Sequence, residues 1–221
     1  MQLSDLNLSP EISKYANCIV NNSKTPVSFF MTSSNSHMVA MSGFYGIYIN
    51  EAITVEQQNL EVLHELMHVS QFEEDYMMIR YKPETPQKAI KLLEKISDLV
   101  KDYDVELRIK QHLQYQHESE NLKYEGYHKQ LFNMYINHAT INSYKIRILA
   151  IEIVYVWLLD NEERANELLE LCNHLTERVS ECVHKLIPLF DNYSVPCKLD
   201  HDTIIYEIIK LLSLSKYLCD A

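Results

Sequence analysis

The sequence has 221 residues, of which 47% are apolar and 23% charged, with only 3 glycines and a net charge of −11. This profile is typical of a folded, helix-rich chain and excludes a largely disordered one. The basic residues form no run of five or more, and together with the acidic balance this argues against direct binding to nucleic acid. The length suits one medium domain, or a small domain with an extension.

The first residues carry neither a basic start nor a continuous apolar core, so the sequence predicts no secretory signal and a cytoplasmic protein. The most apolar stretch, 146–159, is too short for a membrane-spanning helix and contains Arg147 and Glu152. It predicts a buried helix, and the sequence gives no sign of a membrane partner. Five widely spaced cysteines without a Cys-x-x-Cys pair predict reduced thiols rather than disulfides.

In chain order, residues 9–22 are predicted to form the first helix, because Ser9 can cap it and Pro10 suits its first turn. Three short apolar runs with the composition of strands follow, at 27–31, 38–41 and 44–49.

Turn-forming residues lie between these runs, at 32–36 and at Ser42-Gly43. Hairpin connections would need turns at both places. The sequence therefore predicts a small antiparallel sheet.

The next element is a helix predicted from Thr54 to about Phe72, since Thr54 and Gln57 have the spacing of a capping box. It carries the segment His64-Glu65-Leu66-Met67-His68. Two histidines four residues apart project from one helix face and can hold the same zinc ion. Glu65 lies beside that face, where it can take a proton from a zinc-activated water and act as general base.

Apolar residues surround this motif on nearly every face of the helix, which predicts that the helix is buried. These residues are Leu60, Val62, Leu63, Leu66, Met67 and Val69. Buried imidazoles and carboxylates cost desolvation energy unless they are paired or bound to a metal. The competing interpretation is a core helix whose polar residues find such partners without any metal.

Helical patterning resumes at Gln87 and continues to the end of the chain. The predicted breaks lie near 102–104, 137–142, 160 and 188–196. The predicted fold is therefore α+β, with a small antiparallel sheet packed on a zincin HExxH helix and a mainly helical C-terminal half. We divide it into a metallopeptidase domain at 1–118 and a helical extension at 119–221, which could dock a substrate or partner.

A short strand at 46–50 that leads into the HExxH helix resembles the ImmA/IrrE type of minimal, gluzincin-like zinc metallopeptidase, over about residues 12–115. The resemblance implies an edge strand at Tyr45–Ile49, on which an extended substrate adds as a further strand. It also implies a third zinc ligand from a glutamate on a later helix, for which we choose Glu106. That residue shares a predicted inward stripe with Ile109 and Leu113.

The third ligand is the point where this chain departs from the family. Members usually have a small residue and then Asn in the pattern E-x-x-A-N, whereas here Glu106 is followed by Leu107-Arg108-Ile109-Lys110. The other candidate ligands are Asp102, Asp104, His112 and Glu118. A metzincin is excluded, because Gln71 and Glu74 occupy the positions of its required Gly and third His. The spacing leaves the oxyanion donor open among the tyrosines, for example Tyr81, Tyr103 and Tyr115.

The motif and the resemblance together predict a cytoplasmic zinc endopeptidase, with ligands His64, His68 and Glu106 and with Glu65 as base. The implied substrate is a protein or peptide, such as a transcriptional repressor on a separate polypeptide. The alternative is a non-catalytic helical interaction protein that retains the zincin scaffold, which the departure after Glu106 favours.

Overall fold

The computed structural model describes residues 1–113, 142–159, 162–173 and 176–219, and at 112 and 113 only the backbone. Within these ranges the chain is α+β, with seven α-helices and one three-stranded sheet. None of the helices described is both long and apolar enough to cross a membrane.

The N-terminal elements match the predicted ones closely. Helix α1 spans Pro10–Asn22, and the Ser9 hydroxyl caps it by accepting a hydrogen bond from the Ile12 amide at 3.4 Å. The three predicted strands are confirmed as β1 (Val27–Thr32), β2 (His37–Met41) and β3 (Phe44–Asn50). Local capping and turn residues therefore account for where these elements begin and end.

The order of the sheet differs from the prediction. β3 lies in the centre, with β1 parallel to it on one side and β2 antiparallel on the other. The predicted antiparallel sheet is thus wrong for β1, and the predicted edge strand at Tyr45–Ile49 is wrong because these residues belong to the central strand. β3 is the most buried of the three strands, and a central position covers both of its edges. The two-residue turn between β2 and β3 is confirmed, with Gly43 at φ +92°.

Two long helices follow the sheet, α2 (Val55–Glu73) and α3 (Gln87–Leu113). The predicted break near 102–104 is wrong, because α3 runs through it. Both aspartates there have tyrosine partners: the Tyr155 hydroxyl donates to Asp102 Oδ2 at 2.8 Å, and the Tyr193 hydroxyl donates to Asp104. These contacts offset the weak helix preference of Asp.

The rest of the described chain is helical, as predicted. The helices are α4 (Ser143–Leu159), α5 (Glu162–Asn173), α6 (Glu177–Leu186) and α7 (Lys198–Leu211). α4 is buried over most of its length, which confirms the prediction for the apolar stretch. A short 3-10 turn at Ile187–Phe190 begins the predicted break at 188–196. Residues 137–141 of the break predicted at 137–142 lie outside the described residues, and so does the break predicted near 160.

The chain forms two compact units. The first, the sheet unit, comprises Met1–Tyr76 and the end of α3 from Val105 onward. The second, the helical unit, comprises Met77–Asp104 and the described residues from 142 onward. The domain boundary predicted near 118 lies outside the described residues.

Candidate metal centre

Helix α2 has the predicted start. The Gln57 amide donates to Thr54 Oγ1 at 3.3 Å, and the Thr54 amide donates to Gln57 Oε1 at 3.1 Å. This reciprocal pair is the predicted capping box, and it satisfies amide groups that the first turn would otherwise leave without partners. The helix therefore begins at a fixed residue, which sets the phase of every side chain along it.

One side of α2 packs on the sheet. Val62, Leu66 and Val69 lie in a buried cluster with side chains of β1 and β3, among them Phe29 and Ile47. Full burial of such side chains stabilises the fold by about 1.5–3 kcal/mol each. This contact fixes the rotation of α2 about its own axis.

A second side of α2 packs on helices. Leu63 and Met67 lie in a cluster with Ile12 of α1 and with Val105 and Ile109 of α3. The end of α3 is therefore held beside the centre of α2.

Arg108 adds a polar link between the end of α3 and the end of α2. Its guanidinium donates to both carboxylate oxygens of Glu74 at 2.8 and 2.9 Å and to the Tyr76 hydroxyl. Bidentate arginine–carboxylate pairs constrain geometry as well as adding energy. The rotation of α3 relative to α2 is thus fixed near the motif.

The remaining face of α2 is polar although it is largely enclosed. Its members are Glu61, His64, Glu65, His68 and Gln71, which follow each other at intervals of three residues except for the adjacent pair His64 and Glu65. Glu65 is 6% exposed and Gln71 is 2% exposed. Because α2 turns its apolar residues toward the sheet and the other helices, these polar groups are gathered in one place.

The two histidines of the motif meet at the centre of this polar face. Their Nε2 atoms are 3.2 Å apart and the ring planes are inclined at 82°. Two ligands of a tetrahedral metal ion held at ~2.0–2.1 Å would lie about 3.3 Å from each other. The observed separation therefore fits a pair of ligands on one ion.

The outer nitrogens of both rings contact oxygen atoms. Nδ1 of His64 lies 3.2 Å from Glu106 Oε1, and Nδ1 of His68 lies 2.9 Å from Gln71 Oε1. Glu106 thus lies beside the motif, as the sequence led us to expect. Its described contact, however, is with Nδ1 of His64 and not with the Nε2 atom that faces His68. Its assignment as a direct ligand stays a prediction.

Asp102 forms a group with the two histidines that could hold a metal ion. One ligand atom from each of His64, His68 and Asp102 lies within 4.8 Å of the others. Asp102 precedes Glu106 by one turn of α3, so the two carboxylates project from the same side of that helix. Two imidazoles with one carboxylate form a donor set that divalent transition metals accept.

Other candidate residues have different contacts or lie outside the described residues. Asp104 accepts a hydrogen bond from Tyr193, and the Tyr103 ring packs on Phe190 and Tyr193. Tyr81 pairs through its backbone with Leu218. Glu118, Tyr115 and the side chain of His112 lie outside the description.

Gln71 is the residue that sequence reasoning missed, since it entered only as a mismatch to the metzincin pattern. Its spacing from His68 was the available signal, because residues three apart on a helix are neighbours. A hydrogen-bonding side chain at that spacing from a candidate ligand is a natural partner for the outer ring nitrogen.

The chain matches no protein-family model, no curated protein and no solved structure. Any assignment of function therefore depends on the residues themselves.

Proposed function

We propose that this protein is a zinc-dependent peptidase. The observation that carries the proposal is the approach of the His64 and His68 Nε2 atoms to 3.2 Å, the separation expected for two ligands of one zinc ion. The resemblance of the strand and HExxH helix to ImmA/IrrE-type zinc peptidases supports it. The α+β fold, with the motif on a buried helix against a sheet, is compatible with that resemblance.

The proposed ligands are His64, His68 and a carboxylate from α3. Asp102 takes the third position in this proposal, because its carboxylate belongs to the group of three candidate ligands. Tyr155 donates a hydrogen bond to Asp102 Oδ2 and so would orient that carboxylate. Glu106 contacts the outer nitrogen of His64, which makes it the alternative third ligand.

The proposed reaction is hydrolysis of a peptide bond. A bound zinc ion supplies Lewis acidity and lowers the pKa of the attacking water toward ~7. Glu65, adjacent to His64 on the polar face of α2, would act as general base, taking a proton from the attacking water and giving it to the leaving amine. Its low exposure shields this proton transfer from bulk water.

We place the substrate at the edge of the sheet formed by β2. In the described residues β2 is paired with β3 on one side only, whereas the backbone of Met1 pairs with Phe29 along β1. An extended peptide adds to an open edge through main-chain hydrogen bonds. Following the family resemblance, we propose that this peptide belongs to a regulatory protein, such as a DNA-binding repressor.

The test combines metal content with cleavage of a degenerate peptide mixture, analysed by mass spectrometry. Wild type is expected to hold one zinc ion per chain and to cleave. Glu65→Gln is expected to keep the zinc and lose activity by about 100-fold or more, the usual contribution of a general base. Glu56→Gln is the matched control, because Glu56 is exposed in the first turn of the same helix, and it should retain full activity.

Three results would contradict the proposal. Absence of zinc from the wild type would rule out the proposed metal centre. Full activity in Glu65→Gln would rule out Glu65 as the general base. Zinc without any cleavage would favour the non-catalytic interaction protein instead. Zinc stoichiometry in Asp102→Asn and Glu106→Gln then separates the two candidates for the third ligand, since loss of the true ligand is expected to lower occupancy more.

A further inference from the structure

We infer that the peptide bound at the edge of β2 carries an aromatic side chain opposite His37, which makes His37 a specificity-determining residue. This inference rests on the proposed function and deepens it, since it specifies which peptides the edge accepts. The residues that carry it lie on the face of the sheet turned away from α2.

Three rings form one row across that face, with one ring from each strand. Phe30 of β1 and His37 of β2 are both paired with Tyr48 of β3. Phe29 and Ile47 precede two of these rings and pack in the cluster with α2, so the rings project to the opposite face. The ring centroids are 4.9 Å apart for Phe30 and Tyr48 and 4.8 Å apart for His37 and Tyr48, with the planes inclined at 20° and 5°.

The spacing of the rings equals the spacing of neighbouring strands, which is about 4.7–4.9 Å. A strand that pairs with β2 would therefore place the side chain opposite His37 at the next position of the row. The His37 side chain is exposed, and its Nδ1 donates to the Asn35 carbonyl at 2.8 Å, which orients the ring. An aromatic side chain on the added strand would stack on His37 as His37 stacks on Tyr48.

Gly46 allows the row to form. In the register it lies between Ser28 of β1 and Val39 of β2, next to the row of rings. A Cβ atom at Gly46 would lie 3.1 Å from Cε2 of Tyr48, so the Tyr48 ring leans over the glycine. A larger residue at this position would push that ring out of the stack.

The strands that form this face carry no formal charge. Residues 25–50 contain no Asp, Glu, Lys or Arg, although these types make up 23% of the chain. Natural edge strands are commonly protected from pairing by charged side chains or proline, and β2 has neither. A charged substrate residue opposite Val39 would lose hydration without gaining a counter-charge from these strands. The peptide that fits is therefore uncharged, with an aromatic residue opposite His37 and an aliphatic residue opposite Val39.

The experiment measures peptide binding to the full chain after chelator treatment, by fluorescence anisotropy. The probe is a labelled synthetic peptide of alternating valine and threonine with terminal lysines and one variable central position. Wild type should bind the peptide with central Phe about 2–10-fold more tightly than the one with central Leu, and the one with central Asp most weakly. His37→Ala should lose the preference for Phe over Leu, whereas His37→Phe keeps a ring and should retain it.

His184→Ala is the matched control, because His184 is an exposed histidine of the helical unit. It should bind all the peptides as wild type does. In nitrogen-labelled wild type, the amide shifts caused by the Phe peptide should be largest in β2, at His37–Met41.

The inference fails if wild type binds the Phe and Leu peptides equally, if His37→Ala keeps the preference, or if the amide shifts lie outside β2. It also fails if the chain sediments as a dimer whose β2 amides do not respond to peptide, because a second copy would then occupy the edge. Failure of the proposed function has a different signature. Binding with the Phe preference but without zinc or cleavage would refute the peptidase alone, whereas zinc-dependent cleavage without that preference would refute only the role of His37.

Discussion

The buried polar groups of the two units are arranged differently. In the helical unit they form pairs with complementary chemistry: the Tyr193 hydroxyl donates to Asp104, and His201 Nδ1 lies 2.9 Å from Asp202. In the sheet unit, two side chains of the same kind, His64 and His68, meet through their Nε2 atoms. Complementary pairs satisfy each other and need no further group. Two imidazoles can share one proton in an N–H···N hydrogen bond, and the same separation also fits two ligands of one metal ion, which is why we propose the function in the sheet unit.

The largest effect expected from this difference between the two units is the stabilisation of the folded protein by zinc. Wild type at a free zinc concentration 1,000-fold above Kd should gain about 4 kcal/mol in its free energy of unfolding. His64→Leu should gain none, because one of the two converging ligands is absent. Urea unfolding with and without zinc measures both values. His184→Leu, at an exposed histidine of the helical unit, should keep the full gain.

Equal stabilisation of His64→Leu and wild type by zinc would contradict the proposed metal site in the sheet unit. In metal-free protein His64→Leu should lower the free energy of unfolding by about 1–3 kcal/mol, because the buried Glu106 carboxylate loses its contact with His64.

The next largest effect concerns a pair in the helical unit. Tyr193→Phe removes the donor to Asp104, which is 0% exposed, and should destabilise the protein by about 1.5–3 kcal/mol, the range for a hydrogen bond to a charged group. Tyr206→Phe is the control, because Tyr206 is 51% exposed, and it should change stability by less than about 0.5 kcal/mol. Urea denaturation is sufficient for both. Equal effects of the two substitutions would show that the pair is not a structural requirement.

The smallest effect is the pH dependence caused by His201. Burial lowers the pKa of this fully buried imidazole, although the hydrogen bond and charge of Asp202 and the charge of Asp104 oppose the shift, and Lys101 reinforces it. The folded pKa lies below the ordinary value of ~6.5, so the unfolded chain binds the proton first as pH falls. The contribution of His201 is therefore complete above pH ~6.5 and decreases below it, by at most about 1.4 kcal/mol per pH unit.

Substitution of His201 by Gln removes this titration, so the stability of the variant should fall less steeply than wild type below pH ~6.5. Chemical unfolding at a series of pH values, in metal-free protein, measures the two slopes. Identical slopes would mean that His201 does not titrate differently on folding.

Much of the fold follows from local signals in the sequence. Ser9 with Pro10, and Thr54 with Gln57, predicted the starts of α1 and α2, because a cap acts within one helical turn. The order of the sheet could not be predicted in this way. A parallel β1–β3 pair joins residues on either side of β2, and no short segment of sequence carries that information.

In the candidate site, too, some residues could be predicted from local sequence and others could not. His64, Glu65 and His68 could be predicted, because helical spacing alone places them together. The residues contributed by α3 could not be ranked, since Asp102 and Glu106 are one turn apart and their distances from α2 depend on packing by Val105, Ile109 and Arg108. The continuous helix at 102–104 was missed for a related reason, because the tyrosine partners of Asp102 and Asp104 are distant in sequence.

The central position of β3 also has a consequence for the folding of the sheet unit. β2 and β3 are joined by a two-residue turn, so their contacts are local and the loop between them closes at little entropic cost. β1 pairs with β3 across the whole of that hairpin, from Val27 opposite Tyr45 to Thr32 opposite Asn50. The hairpin can therefore nucleate alone, while β1 must wait for a completed edge. We therefore expect β2 and β3 to pair first and β1 to add to them last, although β1 comes first in the sequence.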